Sequence, residues 1–439
     1  MIQTIRKAWG IPELRKKIIF TLLILLIFRI GNAITVPYIN KDALQIQLAS
    51  MGSTYFGLLN TMSGGAFSMA TVFALSIQPY INASIIIQLL TVAIPALERL
   101  SKEGEDGRKK LTRITRYTGA GIALALGIGY YFLLRGQGAL VYGSGAQMFA
   151  QVFSAIVVIL AFTAGSLLIQ WLGEQIDVKG IGNGISILIF AGIVSRWTSI
   201  FTTIKTWLGF AAGGEVKYYF LIPVFVVLAI SVIVFIVILN AAERRIPVQY
   251  AKRVVGRKMY GGQSTHIPIK VNMSGVMPVI FASALASIPG TIGGFFPNLY
   301  NPDLHPFAAP FLGMFSTNGW VYAAIYLLLI IAFNYFYVAM QYNPVEIANN
   351  LRNNNGTIPG YRPGKPTSDF ITKVLGKITF IGALFLGVVA VMPIVLGNVT
   401  GENISLGGTS LLIVVGVALD TSRSLESYML MRHHKGFLE

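Results

Sequence analysis

Ten runs of about 20 mostly apolar residues set what this chain can become, because about 20 helical residues cross the hydrocarbon core of a bilayer. They fall near 18–37, 71–93, 117–135, 152–172, 183–203, 218–239, 272–292, 318–341, 374–396 and 408–422. Lipid offers no hydrogen bonds, so a spanning segment must satisfy its backbone internally, as a helix does. Composition agrees: 12% of the 439 residues are charged, against about 25% in soluble domains. The expected fold is an all-α polytopic membrane protein.

Lys and Arg set the orientation by the positive-inside rule. With the N-terminus inside, 28 of the 34 fall on inner segments, 5 on outer ones, and Arg29 lies within the first run. Both termini are therefore expected in the cytoplasm. The net charge of +17 would suggest nucleic acid in a soluble protein. Here it suits basic loops beside anionic lipid or an acidic partner. The chain has no cysteine, which excludes a disulfide framework, a thiolate nucleophile and an iron–sulfur site. Its N-terminus lacks a small-residue cleavage site, so the first run is expected to stay as an anchor.

Ten spans divide as five plus five, and an odd-numbered half, if repeated, must be inverted, with a central path between the halves. The expected layout is a cytoplasmic segment 1–17, an N-terminal half 18–203, an outer joint 204–217, a C-terminal half 218–422 and a tail 423–439. Two cytoplasmic loops, 241–270 and 341–372, exceed what connection needs. The first alternates apolar and basic residues, which suits a β-hairpin or an extended helix. The second reads as a short helix followed by a Pro- and Gly-rich turn.

Residues 67–90 (FSMATVFALSIQPYINASIIIQLL) carry Gln78, Asn82, Ser84 and Gln88 within an apolar run. Polar groups at membrane depth face protein or an aqueous path. Ile77, Ile81 and Ile85 lie one helical turn apart on one face. Ordinary packing explains that spacing, and so does a constriction that gates by dewetting. Just upstream, 60–70 (NTMSGGAFSMA) is too short to cross and reads as a re-entrant segment or an outer loop. Arg29 either snorkels to an interface or makes a contact inside the bundle. Gly180, Gly182 and Gly184 in KGIGNGIS read as a tight turn capped by Asn183, rather than a nucleotide loop.

None of the four histidines lies inside a span, and Glu174, Asp177 and Asp420 sit at inner ends. That argues against a proton relay, an intramembrane metal and an enzyme. A secondary transporter shares broken helices and inverted halves, but needs a coupling charge that the spans scarcely offer. A solvated positive face explains Lys252, Arg253, Arg257 and Lys258. Arg362, between Pro359 and Pro363, suits a contact with a partner.

At these residues the chain resembles the SecY/Sec61-alpha family of protein-conducting channels. The resemblance rests on SGGAFSMATVFALSIQPYINASIIIQLL (63–90), SKEGEDGRKKLTRITRY (101–117), WLGEQIDVKGIGNGISILIFAGIV (171–194), RRIPVQYAKRVVGRKMYGGQSTHIPIKVNMSGVMPVIFA (244–282), NNGTIPGYRPGKPT (354–367) and GGTSLLIVVGVALD (407–420). It implies ten helices in two inverted halves around a central pore. It implies a pore ring of Ile77, Ile81, Ile189, Ile280 and Ile413. It implies a re-entrant plug helix containing Thr61, Met62, Ser63, Gly64, Gly65, Ala66, Phe67 and Ser68. A lateral gate would lie between spans two and three and spans seven and eight, with Gln78, Asn82 and Gln88 as its polar residues. Lys252, Arg253, Arg257, Lys258, Arg362 and Lys365 would dock the SecA ATPase or the ribosome, with SecE and SecG as fellow subunits. Unfolded precursors would cross the bacterial plasma membrane and hydrophobic segments would leave sideways into lipid. No cofactor and no sequence-specific nucleic acid is implied. Two positions depart from the family pattern: Met69 stands where some members carry a basic residue, and Gln78 where Met is common. A glutamine there is expected to wet the closed constriction or alter the gate.

Overall fold

The computed structural model describes residues 6, 8–40, 44, 60, 62–142, 147–250, 253–255, 258–260, 264–295, 307–314, 319–400 and 408–435. Prolines and glycines set most helix boundaries. Helix α1 (Pro12–Gly31) opens on a proline, where a missing N–H breaks no bond. It ends earlier than the expected run 18–37, so Arg29 falls in its last turn and is exposed. Of the two readings of Arg29, this placement fits snorkelling.

Helix α2 (Gln78–Ala93) is bracketed by Pro79 and Pro95. Proline fits a helix only in its first turn, so the helix starts at Gln78 rather than at 71. Residues 72–77 are turns, with Ser76 at φ +51°. Ile94 is extended ahead of Pro95, as the pre-proline clash demands. The axis then bends by 101° into α3 (Pro95–Lys102). The 16 residues of α2 rise only about 24 Å, less than the roughly 30 Å hydrocarbon core. The turn segment before it must complete that crossing.

Helices α4 (Glu105–Gly136) and α5 (Met148–Lys179) run beyond the expected spans, α4 chiefly at its start and α5 chiefly at its end. There the Arg116 guanidinium donates to both Glu174 oxygens, at 3.1 and 2.6 Å. The fifth span is broken at Arg196 into α6 (Gly184–Ser195) and α7 (Trp197–Ala212). The outer joint expected over 204–217 is therefore mostly helix, with 213–216 leading into α8 (Lys217–Ala241). The seventh span is likewise two pieces, α9 (Met277–Ala286) and α10 (Ile288–Phe295). After α11 (Ala308–Met314) come α12 (Trp320–Gln341), α13 (Pro344–Asn353), α14 (Lys365–Thr400) and α15 (Gly408–Lys435). The last helix continues past 422 through much of the expected tail. By length and composition alone, α4, α5, α8, α12 and α14 can each cross a membrane, and the bent pair α2–α3 makes a sixth. The other spans are shorter, broken or charged at one end.

Packing repeats between the halves. Helix α2 lies on α4 and α4 on α5, while α9 lies on α12 and α12 on α14. The halves meet where α9 touches α2, where α10 touches α4, and where α15 touches α6.

The all-helical expectation gains a small sheet built from the two long loops. Strand β1 (Glu243–Tyr250) pairs antiparallel with β4 (Ser264–Lys270), from Glu243↔Lys270 to Gln249↔Ser264. Between them β2 (Arg253–Val255) and β3 (Lys258–Tyr260) form a hairpin tip. The second long loop adds β5 (Gly356–Thr357) to the free edge of β1, through Tyr250↔Gly356. Ile246 and Val248 alternate inward against exposed Arg245 and Pro247. That period of two favours a strand over a helix. These side chains join Leu351, Ile358, Ile371 and Leu375 in one apolar cluster that seats the sheet on α13 and α14.

Candidate functional site

Four separate spans bring isoleucines to the centre of the molecule. Ile77 caps α2, Ile81 lies one turn into it, Ile189 is on α6, Ile280 on α9 and Ile413 on α15. Each is at most 4% exposed, and all five belong to one buried apolar cluster. Ile85 joins the same cluster, so the spacing of Ile77, Ile81 and Ile85 does mark one inward face.

Met62 belongs to that cluster too, which ties the re-entrant segment to the isoleucines. Among its described residues, helical backbone occurs only at Asn60 and Met62, and 63–70 are turns. Gly64 and Gly65 adopt φ of +70° and +91°, which a side chain disfavours. The fit is close. A Cβ on Gly64 would meet Ser195 Oγ at 2.6 Å, and one on Gly192 would meet the Met62 carbonyl oxygen at 2.4 Å. Ser63, Ala66 and Phe67 are buried and Ser68 partly so. Thr61 lies outside the described residues.

Side chains of the surrounding spans hold this segment, and the turns that follow it, by their carbonyls. Asn32, at the end of α1, donates through Nδ2 to the Ser63 carbonyl at 3.2 Å. The Tyr130 hydroxyl on α4 donates to the Phe67 carbonyl at 2.5 Å. Ser166 on α5 donates to the Ser76 carbonyl at 3.1 Å. The Phe67 and Tyr130 rings stack at 4.5 Å, and Phe162 lies 4.8 Å from Tyr130. Backbone pairing is slight: Val36 and Val72 donate to the Ala70 and Ile34 carbonyls.

The three polar residues expected at the gate all lie on α2. Gln78 is buried and its Oε1 finds no hydrogen-bond partner among the described residues. Asn82 is partly buried. Gln88 donates within its own helix to Ser84 Oγ at 3.3 Å. The KGIGNGIS turn is closed by side chains: Asp177 accepts from the Gly184 N–H at 2.7 Å and Asn183 from the Ser186 N–H at 3.0 Å. Those amides are therefore engaged, as the turn reading requires.

Beside the sheet, in the second long loop and the start of α14, Arg362 and Lys365 are exposed. Gly360 and Gly364, both at positive φ, flank Arg362. The Thr367 hydroxyl donates to the Arg362 carbonyl at 2.8 Å, and the Tyr361 ring lies 4.3 Å from Phe370. Arg253 and Lys258 sit in the β2–β3 hairpin. Lys252 and Arg257 lie outside the described residues.

A family model described as SecY matches residues 71–422. The chain belongs to the SecY family. It is 43% identical to the protein translocase subunit SecY of Bacillus subtilis strain 168, over 446 residues and the whole of both chains. Its fold is similar to a solved SecY whose plug domain stabilises the closed state of the translocation channel and maintains a membrane seal. The TM-score there is 0.66, with 20% identity over 96% of both chains. It is also similar to Sec61 in the canine ribosome–channel complex of the endoplasmic reticulum, with a TM-score of 0.62 and 18% identity over 96% of both chains. The architecture is thus that of the SecY channels, with ten spans and a plug.

In this SecY fold the side chains that hold the re-entrant segment and the turns after it, Asn32, Tyr130 and Ser166, escaped sequence reasoning. Only Tyr130, a hydroxyl within the apolar GIGYYFLL, carries a local hint. Its partner is 63 residues away, and no local period reports that.

Proposed function

We propose that this chain is the channel subunit of a protein translocase in a bacterial plasma membrane. It passes unfolded precursors through the isoleucine ring and releases hydrophobic segments sideways between two pairs of spans, α2 with α4 and α9–α10 with α12. One observation carries the reading: Ile77, Ile81, Ile189, Ile280 and Ile413 come from four spans into one buried cluster, with the plug segment packed on it. Branched apolar side chains exclude water from a narrow path and offer a passing chain no hydrogen bonds. The plug segment rests on a few side-chain bonds, which allows it to leave without unfolding a helix. SecE and SecG are the expected fellow subunits. SecA or a translating ribosome supplies the energy and docks on the basic cytoplasmic face, at Lys252, Arg253, Arg257, Lys258, Arg362 and Lys365. The ribosome-bound Sec61 similar to this chain supports that assignment.

The absence of native cysteine makes the test clean. A cysteine replaces Ile189, a second is placed in a stalled precursor, and membranes are oxidised with SecA and ATP. A disulfide that needs ATP is expected. If the precursor is shown to be engaged and no disulfide forms, Ile189 does not line the path.

A further inference from the structure

Left-handed backbone is rare in residues with a side chain, because the Cβ crowds the following carbonyl. Among the described residues four non-glycines adopt it: Tyr38, Ala70, Ser76 and Asn355. Asparagine tolerates that conformation, and Tyr38 stands alone in the turn after α1. Ala70, at φ +45°, and Ser76, at φ +51°, bracket the short link that joins the plug segment to α2. The plug segment itself meets the same demand with glycine. Gly64 and Gly65 take positive φ with no Cβ to crowd, and a Cβ on Gly65 would meet nothing within 4 Å.

Strain of this kind persists only where neighbours enforce it, and here they do. Ala70 and Ser76 are both buried. The Ala70 carbonyl accepts from the Val36 N–H at 3.0 Å, and the Ala70 N–H donates to the Phe67 carbonyl at 3.1 Å. The Ser76 N–H donates to the Phe73 carbonyl at 2.9 Å, while its carbonyl takes the Ser166 hydroxyl. Between them Thr71 donates to the Ala66 carbonyl twice, through its N–H at 3.1 Å and its hydroxyl at 3.3 Å. The Val72 N–H donates to the Ile34 carbonyl at 2.9 Å. A Cβ on Gly165 would collide with the Val72 carbonyl, so α5 presses on the link from the other side. The link is thus tied at once to the plug segment, to the residues after α1 and to α5.

We propose that Ala70 and Ser76 are strain residues that hold the seated and unseated states of the plug near balance. Their backbone is crowded while the segment is seated, and unseating breaks the ties that enforce the crowding. The strain therefore works against the seal and lowers the cost of opening, where the side-chain tethers work for it. The idea rests on the channel reading above.

The test uses the complete translocase in proteoliposomes. Ser63 is buried in the seated segment, so Ser63→Cys reacts with a maleimide when the segment unseats, and the chain has no other cysteine. Ala70→Gly and Ser76→Gly remove the crowding, and each is expected to slow labelling about fivefold. Glycine also loosens the unseated chain, which pulls the other way by less. A segment held by contacts alone would then label faster, so the sign of the change decides. Gly65→Ala is the mirror test: it adds a crowded Cβ that touches no neighbour and should speed labelling about fivefold. Unchanged or faster labelling in a glycine variant overturns the proposal for that residue. Unchanged or slower labelling in Gly65→Ala overturns it for both, and this variant keeps the test readable if a glycine variant fails to assemble. If Ser63→Cys in the otherwise unaltered chain labels as fast as Met69→Cys, at an exposed position, the segment is not seated and its reading as a plug fails instead.

Discussion

The plug segment proposed above and the small sheet are both largely non-helical insertions into a helical bundle, yet they are held by opposite means. The sheet has a backbone ladder: seven residues of β1 face β4 in continuous register, and β5 extends the other edge. The plug segment has almost no ladder. Side chains of α1 and α4 reach in and hold its carbonyls one at a time. A ladder resists bending and yields only as a unit. Separate side-chain bonds, each worth about 0.5–1.5 kcal/mol net, let go in sequence. A ladder of that kind suits a load, and separate bonds suit detachment.

The largest expected effect comes from denying the plug its seat. Gly192→Leu places a side chain where the Met62 carbonyl now lies, 2.4 Å from the new Cβ. Overpacking costs about 1–3 kcal/mol, which favours the unseated segment by about tenfold or more. Resting ion conductance in planar bilayers should rise by that order, with binding of the driving partner to the sheet unchanged. Unaltered conductance would mean that the seat does not close the path.

Arg362→Glu tests the opposite pole. Two positive-φ glycines hold Arg362 out of the bundle in a fixed turn. A rim charge contributes mainly to association rate and salt dependence. Export driven by SecA should fall about fivefold at moderate salt, as expected for a lost charge pair of about 1 kcal/mol. Resting conductance should not move. A change in conductance would show that the two insertions are coupled, and the comparison would have to be redrawn.

The plug's tethers come next. Tyr130→Phe keeps the stack on Phe67 and removes only the hydroxyl bonded to its carbonyl. A few-fold rise in conductance follows, from the loss of about 1 kcal/mol. If the conductance is unchanged, shape alone seats the plug and the tethers are incidental.

The sequence made the bundle legible because hydropathy is local. Each apolar run reports its own burial, and Pro79, Pro95 and Gly184 fall at helix boundaries. Ile77, Ile81 and Ile85 were readable from helical spacing. Ile189, Ile280 and Ile413 entered only through family resemblance, since nothing near them distinguishes them from other core isoleucines. Asn32 was not legible at all, and Tyr130 only as a hydroxyl in an apolar run. Their roles depend on partners 31 and 63 residues away, a distance that periodicity does not span. The early start assigned to the second span has a similar cause. Residues 71–77 are as apolar as a helix, and the backbone reverses at Ser76 for reasons of tertiary fit.

The smallest expected effect sharpens the comparison most. On the sheet, the Thr357 hydroxyl donates to the Gln249 carbonyl at 3.3 Å and is exposed. By partners alone it matches Tyr130: one hydroxyl on one carbonyl of a non-helical segment. If side-chain tethers held both insertions, Thr357→Ala and Tyr130→Phe would weaken them alike. The backbone pairs Gln249↔Thr357 and Tyr250↔Gly356 remain in Thr357→Ala, and water replaces the lost partner at no cost in desolvation. Export and partner affinity should therefore stay within the error of measurement. A loss comparable to that of Tyr130→Phe would show that β5 is held by its side chain rather than its ladder, and the sheet would then be as detachable as the plug.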